Sequence, residues 1–327
     1  MRFTINNMPE VEPVDFIGGV FPRQQLSIVA SEPGCGKTWA MLQFCADLSN
    51  RYHYGKFFGK SFGEEQRKCL MLIGDSGKEM IVDRINKLSL SYIEPANFIF
   101  YFIVDMIAEK QPFLLNTREG QQAIQNLIHY EKPDIVFFDT LISFMVGDEN
   151  SAKEIGEIFI GLRTMAEEEN CAVVLNHHLR KTQKGEGHRK TVNLNDVIGS
   201  SAMARLASLM LGMTRDRDFE ERNVVKVQSV KTWYKEIRPF SFEILSTDDE
   251  VMLSPDYYAG NMYRLRQIVG EFAECHKEGL LLNSLDVAEI LNAPADAVKT
   301  AMAMSPLWNP LTEDPNCDKF FVARKEK

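Results

Sequence analysis

The 327-residue sequence lacks the sequence features of a secreted protein, of a membrane-spanning protein and of a protein stabilised by zinc or disulfides. Its six cysteines contain no C-x-x-C pair, so neither a zinc site nor a disulfide framework is predicted. The most apolar run, PANFIFYFIVDMIA, is interrupted by Asp105 and is shorter than the ~20 residues that span a membrane. The first residues carry Glu10, Glu12 and Asp15 where a signal peptide has a basic and then an apolar stretch. We expect a cytoplasmic protein with no membrane contact.

The sequence also lacks an excess of positive charge. Its formal net charge is -9, which excludes a protein that coats nucleic acid with its whole surface. The hydrophobic share of 45% and the charged share of 25% are those of a globular protein, so wholesale disorder is not expected. Any contact with nucleic acid must therefore be made by a few basic loops.

Short apolar runs alternate with amphipathic stretches of helical length between residues 24 and 215. Strands are predicted at 26–30, 69–73, 98–104, 135–139 and 172–176, and helices at 37–48, 78–90, 118–130 and 152–169. This alternation predicts an α/β fold with a mostly parallel, twisted sheet. Three later runs are expected to extend the sheet in antiparallel fashion: RLASLMLGM (205–213), NVVKVQSVK (223–231) and PFSFEIL (239–245).

A polar, acidic and turn-rich stretch at 246–261 predicts a domain boundary. We expect an ATPase domain over 1–250 and a small domain over 260–327. In the second, apolar residues recur at helical spacing from Met262 to Phe272, and two short helices flank a break at 292–294, with Ser284 as an N-cap. With the terminal strand FFVARK, these elements predict a winged helix-turn-helix-like domain, which would serve DNA binding or partner docking.

The stretch ASEPGCGKTW fits the phosphate-binding loop G-x-x-x-x-G-K-[ST], except that Ser31 replaces the first glycine. A strand precedes it and a helix follows, so loop N–H groups would face the phosphates, Lys37 would reach the β and γ oxygens, and Thr38 would ligate Mg²⁺. The residues predicted to contact ATP here are Ser31, Glu32, Pro33, Gly34, Cys35, Gly36, Lys37, Thr38 and Trp39.

Acidic and imidazole side chains follow other predicted strands at the same edge. Asp139 ends IVFFD and is expected to hold the Mg²⁺ shell. Asp75 follows CLMLIG and is a candidate to activate water, with Glu79 as a substitute; capping of the next helix is the competing role for Asp75. His177 and His178 follow AVVLN, and His178 is the favoured sensor of the γ-phosphate.

Together these residues resemble the RecA-type ATPases, and among them the hexameric replicative helicases of the plasmid RepA group. The resemblance covers about residues 15–245 and rests on SEPGCGKTWAMLQF, LIGDSGKEMIVDRINKL, PDIVFFDTLISF, VVLNHHLRKT and DVIGSSAMARLASLML. It implies a RecA-like core and ATP hydrolysis with Mg²⁺. It further implies that Asp75 activates water, although the family more often has Glu there, and that Arg84 packs against the adenine. A cationic finger from the neighbouring subunit would be Lys231 or, as second candidate, Arg205.

In a RecA-type ring, two loops line the central channel. The first would lie near 143–153, and the second follows His178 in RKTQKGEGHRKTVN. The second loop supplies the predicted contacts to single-stranded DNA, which are Arg180, Lys181, Lys184, Arg189 and Lys190. The predicted function is thus an ATP-dependent homohexameric translocase or helicase for a plasmid or other mobile element. The alternative is a non-motor, ATP-switched oligomer that recruits partners or DNA through residues 260–327.

Overall fold

The computed structural model describes residues 13–49, 66–88, 95–108, 113–180, 191–197, 201–216, 223–234, 237, 239–255, 262–277, 279–291, 293, 295–303, 305, 307–312 and 318–322. Within these residues, a large α/β unit is followed by three helices and a three-stranded sheet. The α/β class predicted from the alternation of apolar and amphipathic stretches is confirmed.

A nine-stranded sheet forms the centre of the large unit, after a short hairpin of β1 (Phe16–Ile17) and β2 (Phe21–Pro22). Its strands are β3 (Leu26–Ser31), β4 (Cys69–Ile73), β5 (Phe98–Phe102), β6 (Ile135–Asp139), β7 (Ala172–His178), β8 (Leu209–Asp216), β9 (Val224–Thr232), β10 (Phe240–Ser246) and β11 (Val251–Pro255). The spatial order is β11-β10-β9-β8-β3-β7-β6-β4-β5.

The six strands from β8 to β5 run parallel, and β9, β10 and β11 continue the sheet in antiparallel fashion, as predicted. The register sets Ser31 beside His178 and Ile73 beside Asp139. We call the edge where β3, β4, β6 and β7 end the carboxyl edge, and the opposite one the amino edge. Polar residues that terminate these strands are therefore brought together at the carboxyl edge.

Helices cover both faces of the sheet. They are α1 (Lys37–Ser49), α2 (Lys78–Lys87), α3 (Ile103–Ala108), α4 (Arg118–Glu131), α5 (Ala152–Glu168) and α6 (Ser201–Leu206). On one face Phe137 packs with Phe44 of α1, and on the other Phe138 belongs to the cluster that holds Phe159 of α5. Neighbouring residues of β6 thus serve opposite cores, because side chains alternate along a strand. Each such buried phenylalanine contributes about 1.5–3 kcal/mol of transfer free energy.

Three predicted boundaries are corrected. The strand expected at 98–104 ends at Phe102, opposite the last residue of its neighbour β4, and 103–108 are helical. The strand expected from 205 begins at Leu209, since 201–206 form α6. The acidic stretch after 245 is a hairpin turn, in which the Thr247 hydroxyl accepts a hydrogen bond from the Glu250 N–H, so that β11 extends the first unit beyond residue 250.

The C-terminal unit contains α7 (Met262–Glu274), β12 (Leu281–Asn283), α8 (Ser284–Ile290), α9 (Ala295–Ala303), β13 (Trp308–Pro310) and β14 (Lys319–Val322). Its strands form an antiparallel sheet in the order β12-β14-β13 around a core of its own. The structure has the three helices and the terminal strand that were expected, and adds β12 and β13. The assignment as a winged helix-turn-helix-like domain stays a prediction. The N-cap of α8 is Asn283, whose Oδ1 accepts from the Leu285 N–H, and not the predicted Ser284.

Across the described ranges, none of the helices combines the length and the apolar character that a membrane crossing requires.

Candidate nucleotide-binding site

The glycine-rich loop connects β3 directly to α1, which is the context that a phosphate-binding loop requires. Gly34 and Gly36 have φ angles of +74° and +94°, a region where side chains other than glycine are strained. At Gly36 a Cβ atom would also lie 2.6 Å from Cδ1 of Ile244. The antiparallel strand β10 therefore supports the loop from one side, and both glycines are needed for its path.

Lys37 points back into the loop from the first turn of α1. It is only 7% exposed, and its ammonium donates a hydrogen bond of 2.9 Å to the hydroxyl of Ser31, which in turn donates to the carbonyl of Glu32. Burial lowers the pKa of Lys37, and the negative charge of Asp139 opposes that shift. The serine in place of the first glycine thus fits the loop and supplies an acceptor to this lysine.

Thr38 and Asp139 meet at the carboxyl edge, although 101 residues separate them in the chain. The Thr38 hydroxyl donates to Oδ2 of Asp139 at 2.8 Å, and Nδ2 of Asn176 donates to Oδ1 of the same carboxylate at 3.1 Å. A hydroxyl and a carboxylate are the oxygen ligands with which proteins hold Mg²⁺ directly or through water, usually together with phosphates. The residues present therefore fit a magnesium ion.

The main chain of Asp139 also fixes the segment that carries Asp75. Its carbonyl accepts hydrogen bonds from the N–H groups of Gly74, at 2.7 Å, and Asp75, at 3.1 Å. The N-cap of α2 is Gly77, without a side-chain hydrogen bond, so the competing role of Asp75 as a helix cap is not supported. Asp75 and Glu79 are both exposed, but only the charge of Asp75 is among the charges that act on Lys37 and His178.

His177 and His178 form the end of β7, which is two residues longer than predicted. His177 is buried, and His178 is half-buried beside Ser31 in the neighbouring strand. Burial, reinforced by the positive charge of Lys37, lowers the pKa of His178, so the ring is neutral at physiological pH. Its Nδ1 is buried without a hydrogen-bond partner among the described residues. A neutral imidazole in this position can donate to or accept from a ligand.

A family model described as an AAA domain matches residues 5–184, which is more than half of the chain. The chain belongs to this AAA-domain family. The matched part contains Lys37, Asp75, Asp139 and His178, and it ends before α6 and the antiparallel strands.

The chain is similar to a solved structure. That structure is described as that of a DnaB-like replicative helicase and its interactions with primase. The TM-score is 0.52 at 16% sequence identity, over 71% of this chain and 58% of the helicase chain. At this identity the likeness concerns the fold, and it confirms the predicted RecA-like core. The chain therefore matches less than two thirds of the length of that helicase. A comparison with curated proteins gives no match.

At the rim of the AAA-domain site, Arg84 of α2 and Trp39 of α1 lie against each other. The guanidinium carbon of Arg84 is 5.6 Å from the centre of the Trp39 ring, and the same side chain donates to the hydroxyl of Ser76 at 3.4 Å. This distance is that of a cation–π contact between the guanidinium and the indole. The structure thus brings Arg84, predicted to pack against the adenine, next to Trp39, predicted to contact ATP as part of the phosphate loop.

The two finger candidates lie away from the phosphate loop of their own subunit. Lys231 is near the end of β9 at the amino edge, where its ammonium donates to the carbonyl of Ala207 and lies 4.7 Å from the centre of the Trp233 ring. Burial, and then the charge of Arg163, lowers its pKa. Arg205 is exposed on α6.

Most of the predicted DNA-binding loop lies outside the described residues, namely Lys181, Lys184, Arg189 and Lys190. Arg180, which begins it, is exposed, and its N–H donates to the carbonyl of Asp196 at 2.7 Å. A β-bridge joins Leu179 to Val197. The chain therefore leaves the site after Leu179 and returns to a position beside it at Val197.

The prediction from sequence missed Asn176. A signal was available, because Asn176 follows the apolar run AVVL as Asp139 follows IVFF, and each is the first polar residue of a central strand.

Proposed function

We propose that this chain is an ATP-dependent homohexameric translocase or helicase that acts on single-stranded DNA in the replication of a plasmid or other mobile element. The observation that carries the proposal is the end of β7. There the charges of Lys37, Asp75 and Asp139 act on His178, and two residues later the chain enters the basic segment 180–190. The similar solved structure, a replicative helicase, supports the same class of motor.

In the proposed reaction, ATP binds with its phosphates in the loop 32–36 and at the N-terminus of α1. The ammonium of Lys37 would neutralise the charge of the β and γ oxygens. Because an ammonium has three donors, it can bind these oxygens either with or without its hydrogen bond to the Ser31 hydroxyl. Mg²⁺, held by Thr38 and Asp139, would supply charge neutralisation of the leaving phosphate. Asp75, fixed through the Asp139 carbonyl, would orient and deprotonate the attacking water.

Coupling to DNA would run through β7. His178, neutral because of its lowered pKa, would bond the γ-phosphate and lose that partner when the phosphate leaves. The bridge between Leu179 and Val197 and the bond from the Arg180 N–H to the Asp196 carbonyl join the two ends of the intervening segment, so a shift of His178 would reach both ends. The cations of that segment would then track the phosphates of a single strand.

The neighbouring subunit would complete each site. Lys231 lies at the amino edge and therefore does not serve the loop of its own subunit, but a head-to-tail ring brings one subunit's flank to the next subunit's site. We propose Lys231 as the finger in trans, with Arg205 as the second candidate. A cation supplied in this way is typically worth about 10³–10⁵ in kcat.

The test is the rate of ATP hydrolysis with and without a single-stranded oligonucleotide, with the mass in solution measured in the presence of a non-hydrolysable ATP analogue. We expect stimulation by the oligonucleotide and a mass near six subunits. Replacing both Arg180 and Lys181 by Gln should remove the stimulation and leave nucleotide binding unchanged, because these residues lie beyond the phosphate site.

The matched control replaces Arg118 and Lys132 by Gln, which removes the same charge from exposed positions on α4 and at its end. This control should keep the stimulation. Hydrolysis that is indifferent to every nucleic acid would refute the motor, whereas equal loss in both double variants would assign the effect to net charge.

A second candidate is an ATP-switched oligomer that recruits partners through residues 260–327. The C-terminal unit has its own core, yet Leu285 and Ile290 of α8 are 53% and 64% exposed. Exposed apolar side chains on one short helix favour a docking role. This candidate predicts slow hydrolysis, no strand separation, and a partner that is lost when 260–327 are deleted.

A further inference from the structure

Asn176 is fully buried at the end of β7 and is bonded to the carboxylate of Asp139. Its Nδ2 donates to Oδ1 at 3.1 Å, while the hydroxyl of Thr38 donates to Oδ2 at 2.8 Å. Each carboxylate oxygen thus has one donor, and the two donors come from different elements, β7 and α1. A carboxylate held at both oxygens cannot rotate without breaking a charge-assisted hydrogen bond.

The orientation of the amide follows from its partner. A carboxylate only accepts hydrogen bonds, so the NH₂ group of Asn176 must face Asp139, and its carbonyl oxygen faces away. That oxygen, Oδ1, is buried and has no hydrogen-bond partner among the described residues. A buried acceptor without a partner is costly in a finished core, and it is expected where a ligand or its water supplies the missing donor.

The sheet register places Asn176 between the other site residues. Leu175 pairs with Phe138 of β6, so the next residue along β7 reaches the level of Asp139. Asn176 and His178 are two residues apart and share one face of the strand. His178 also has a buried ring nitrogen without a partner. The same face of β7 therefore carries two buried polar atoms that have no hydrogen-bond partner among the described residues.

We infer that Asn176 is a positioning residue for the magnesium–nucleotide complex, which rests on the proposed function of this site. It holds the Asp139 carboxylate against rotation, and so keeps the Oδ2 side directed to Thr38. An amide suits this role because it donates at every pH, whereas an aspartate would set a second negative charge against Asp139.

Loss of the amide would release the carboxylate towards the nearest charge of opposite sign. Lys37 is a cation whose field acts on Asp139, and a freed carboxylate moves towards it. It would then compete with phosphate for the ammonium and would no longer be aligned for the metal shell. Groups that orient metal-binding side chains in this way typically contribute about 10–100-fold in metal affinity or activity.

The test compares full-length wild type with Asn176→Leu, which keeps the volume, and Asn176→Ala, which does not. Binding of a fluorescent ADP is measured in EDTA and at increasing Mg²⁺, and the hydrolysis rate is measured over the same Mg²⁺ series. We expect the Mg²⁺ concentration for half-maximal effect to rise about tenfold in both assays. Affinity for ADP in EDTA should stay at the wild-type value, and saturating Mg²⁺ should restore most of the rate.

Ser27→Ala is the matched control, since Ser27 is a fully buried residue of β3 at the amino edge, and its hydroxyl has no hydrogen-bond partner in the described part of the chain. It should leave both Mg²⁺ curves unchanged. An unaltered Mg²⁺ dependence in the Asn176 variants would overturn the inference, as would equal weakening of ADP binding with and without the metal, which indicates a structural role only. If wild type itself gains nothing from Mg²⁺, the proposed magnesium-dependent function fails instead.

Discussion

The two edges of the central sheet use similar polar residues in opposite ways. At the amino edge, Arg23 donates to Asp15 at 2.9 Å, to Asp134 at 2.6 Å and to the carbonyl of Asn170 at 2.7 Å. Arg67 adds ion pairs to the same two carboxylates. At the carboxyl edge, the site residues hold three buried polar atoms that have no hydrogen-bond partner among the described residues: His178 Nδ1, Asn176 Oδ1 and Thr140 Oγ1. At the amino edge Gln25 Oε1 and Ser27 Oγ are also buried without such a partner, but neither belongs to the ion-pair cluster of Arg23.

This difference separates stability from function within one sheet. Buried polar groups are normally satisfied, so a cluster that is complete within the protein stabilises the fold, and a cluster that is incomplete awaits a ligand. The ion pairs of Arg23 tie the chain before β3 to the start of β6, which are far apart in sequence. The lysine at the other edge has, by contrast, a single neutral hydroxyl as its hydrogen-bond acceptor among the described contacts.

The largest expected effect comes from removing the central cation of each edge, Lys37 at the carboxyl edge and Arg23 at the amino edge. Lys37→Ala should weaken ATP binding by at least about 100-fold, because the β and γ oxygens lose a charged donor in a buried site. Arg23→Ala should leave ATP affinity within about twofold of wild type, but lower the free energy of unfolding by about 2–3 kcal/mol, since two carboxylates lose the closer of their two arginine partners. Equilibrium binding of a fluorescent ATP analogue and urea unfolding measure the two quantities.

Each of these variants serves as the control for the other. A large loss of stability in Lys37→Ala with binding intact, or a loss of binding in Arg23→Ala with stability intact, would show that the two edges do not divide their tasks as the contacts indicate.

The next effect concerns only turnover. Asp75→Asn should lower kcat about 100-fold and leave ATP affinity unchanged, because the backbone bond from Asp75 to the Asp139 carbonyl survives while the proton acceptor is lost. Glu79→Gln removes the same charge nearby and should retain most of the rate. Single-turnover hydrolysis distinguishes the two, and a slow Glu79→Gln beside a normal Asp75→Asn would reassign the role of the base.

Much of the carboxyl edge was predictable because its signals are local in sequence. The loop with Gly34, Gly36 and Lys37 needs a particular backbone path, so its residues are restricted whatever the rest of the fold. The positions of Asp139 and His178 at strand ends were predictable because a polar residue directly after a buried apolar run marks the end of a strand. The same rule applies to Asn176, but an amide neither titrates nor carries a charge, so its residue type alone does not indicate metal or acid–base chemistry.

The remaining features depend on contacts that a single sequence does not display. The helix α3 begins directly after Phe102, the last residue of β5 that pairs with β4. The end of β5 thus coincides with the end of β4, which lies about thirty residues earlier in the chain. In the sequence, the acidic turn before β11 has the composition of a linker. Only the pairing of β11 with β10 shows that it connects two strands of the sheet. The pairing of Arg23 with Asp134 was likewise out of reach, since 111 residues separate them.

The last expected effect depends on pH and concerns a carboxyl group near the amino edge that has no arginine or lysine partner among the described residues. Asp47, near the end of α1, is 4% exposed and accepts a hydrogen bond from Gln43 at 2.8 Å. Burial raises its pKa from the ordinary 3.8 to about 7, against the opposing effect of Gln43. The folded state therefore keeps this proton at pH values where the unfolded chain has released it.

Stability should then fall as pH rises through that window, since the folded state binds more protons than the unfolded one. Asp47→Asn removes the titration, so its free energy of unfolding relative to wild type should increase from pH 4 to about pH 7 and level off above, by an amount on the order of a few kcal/mol. Urea unfolding of both proteins across this range measures the difference. Asp134→Asn, the matched change at the paired carboxylate, should instead destabilise the protein at neutral pH because Arg23 loses a partner. A difference curve for Asp47→Asn that is flat with pH would mean that the group is ionised in the folded protein, and the contrast between the paired and the unpaired carboxylate would then disappear.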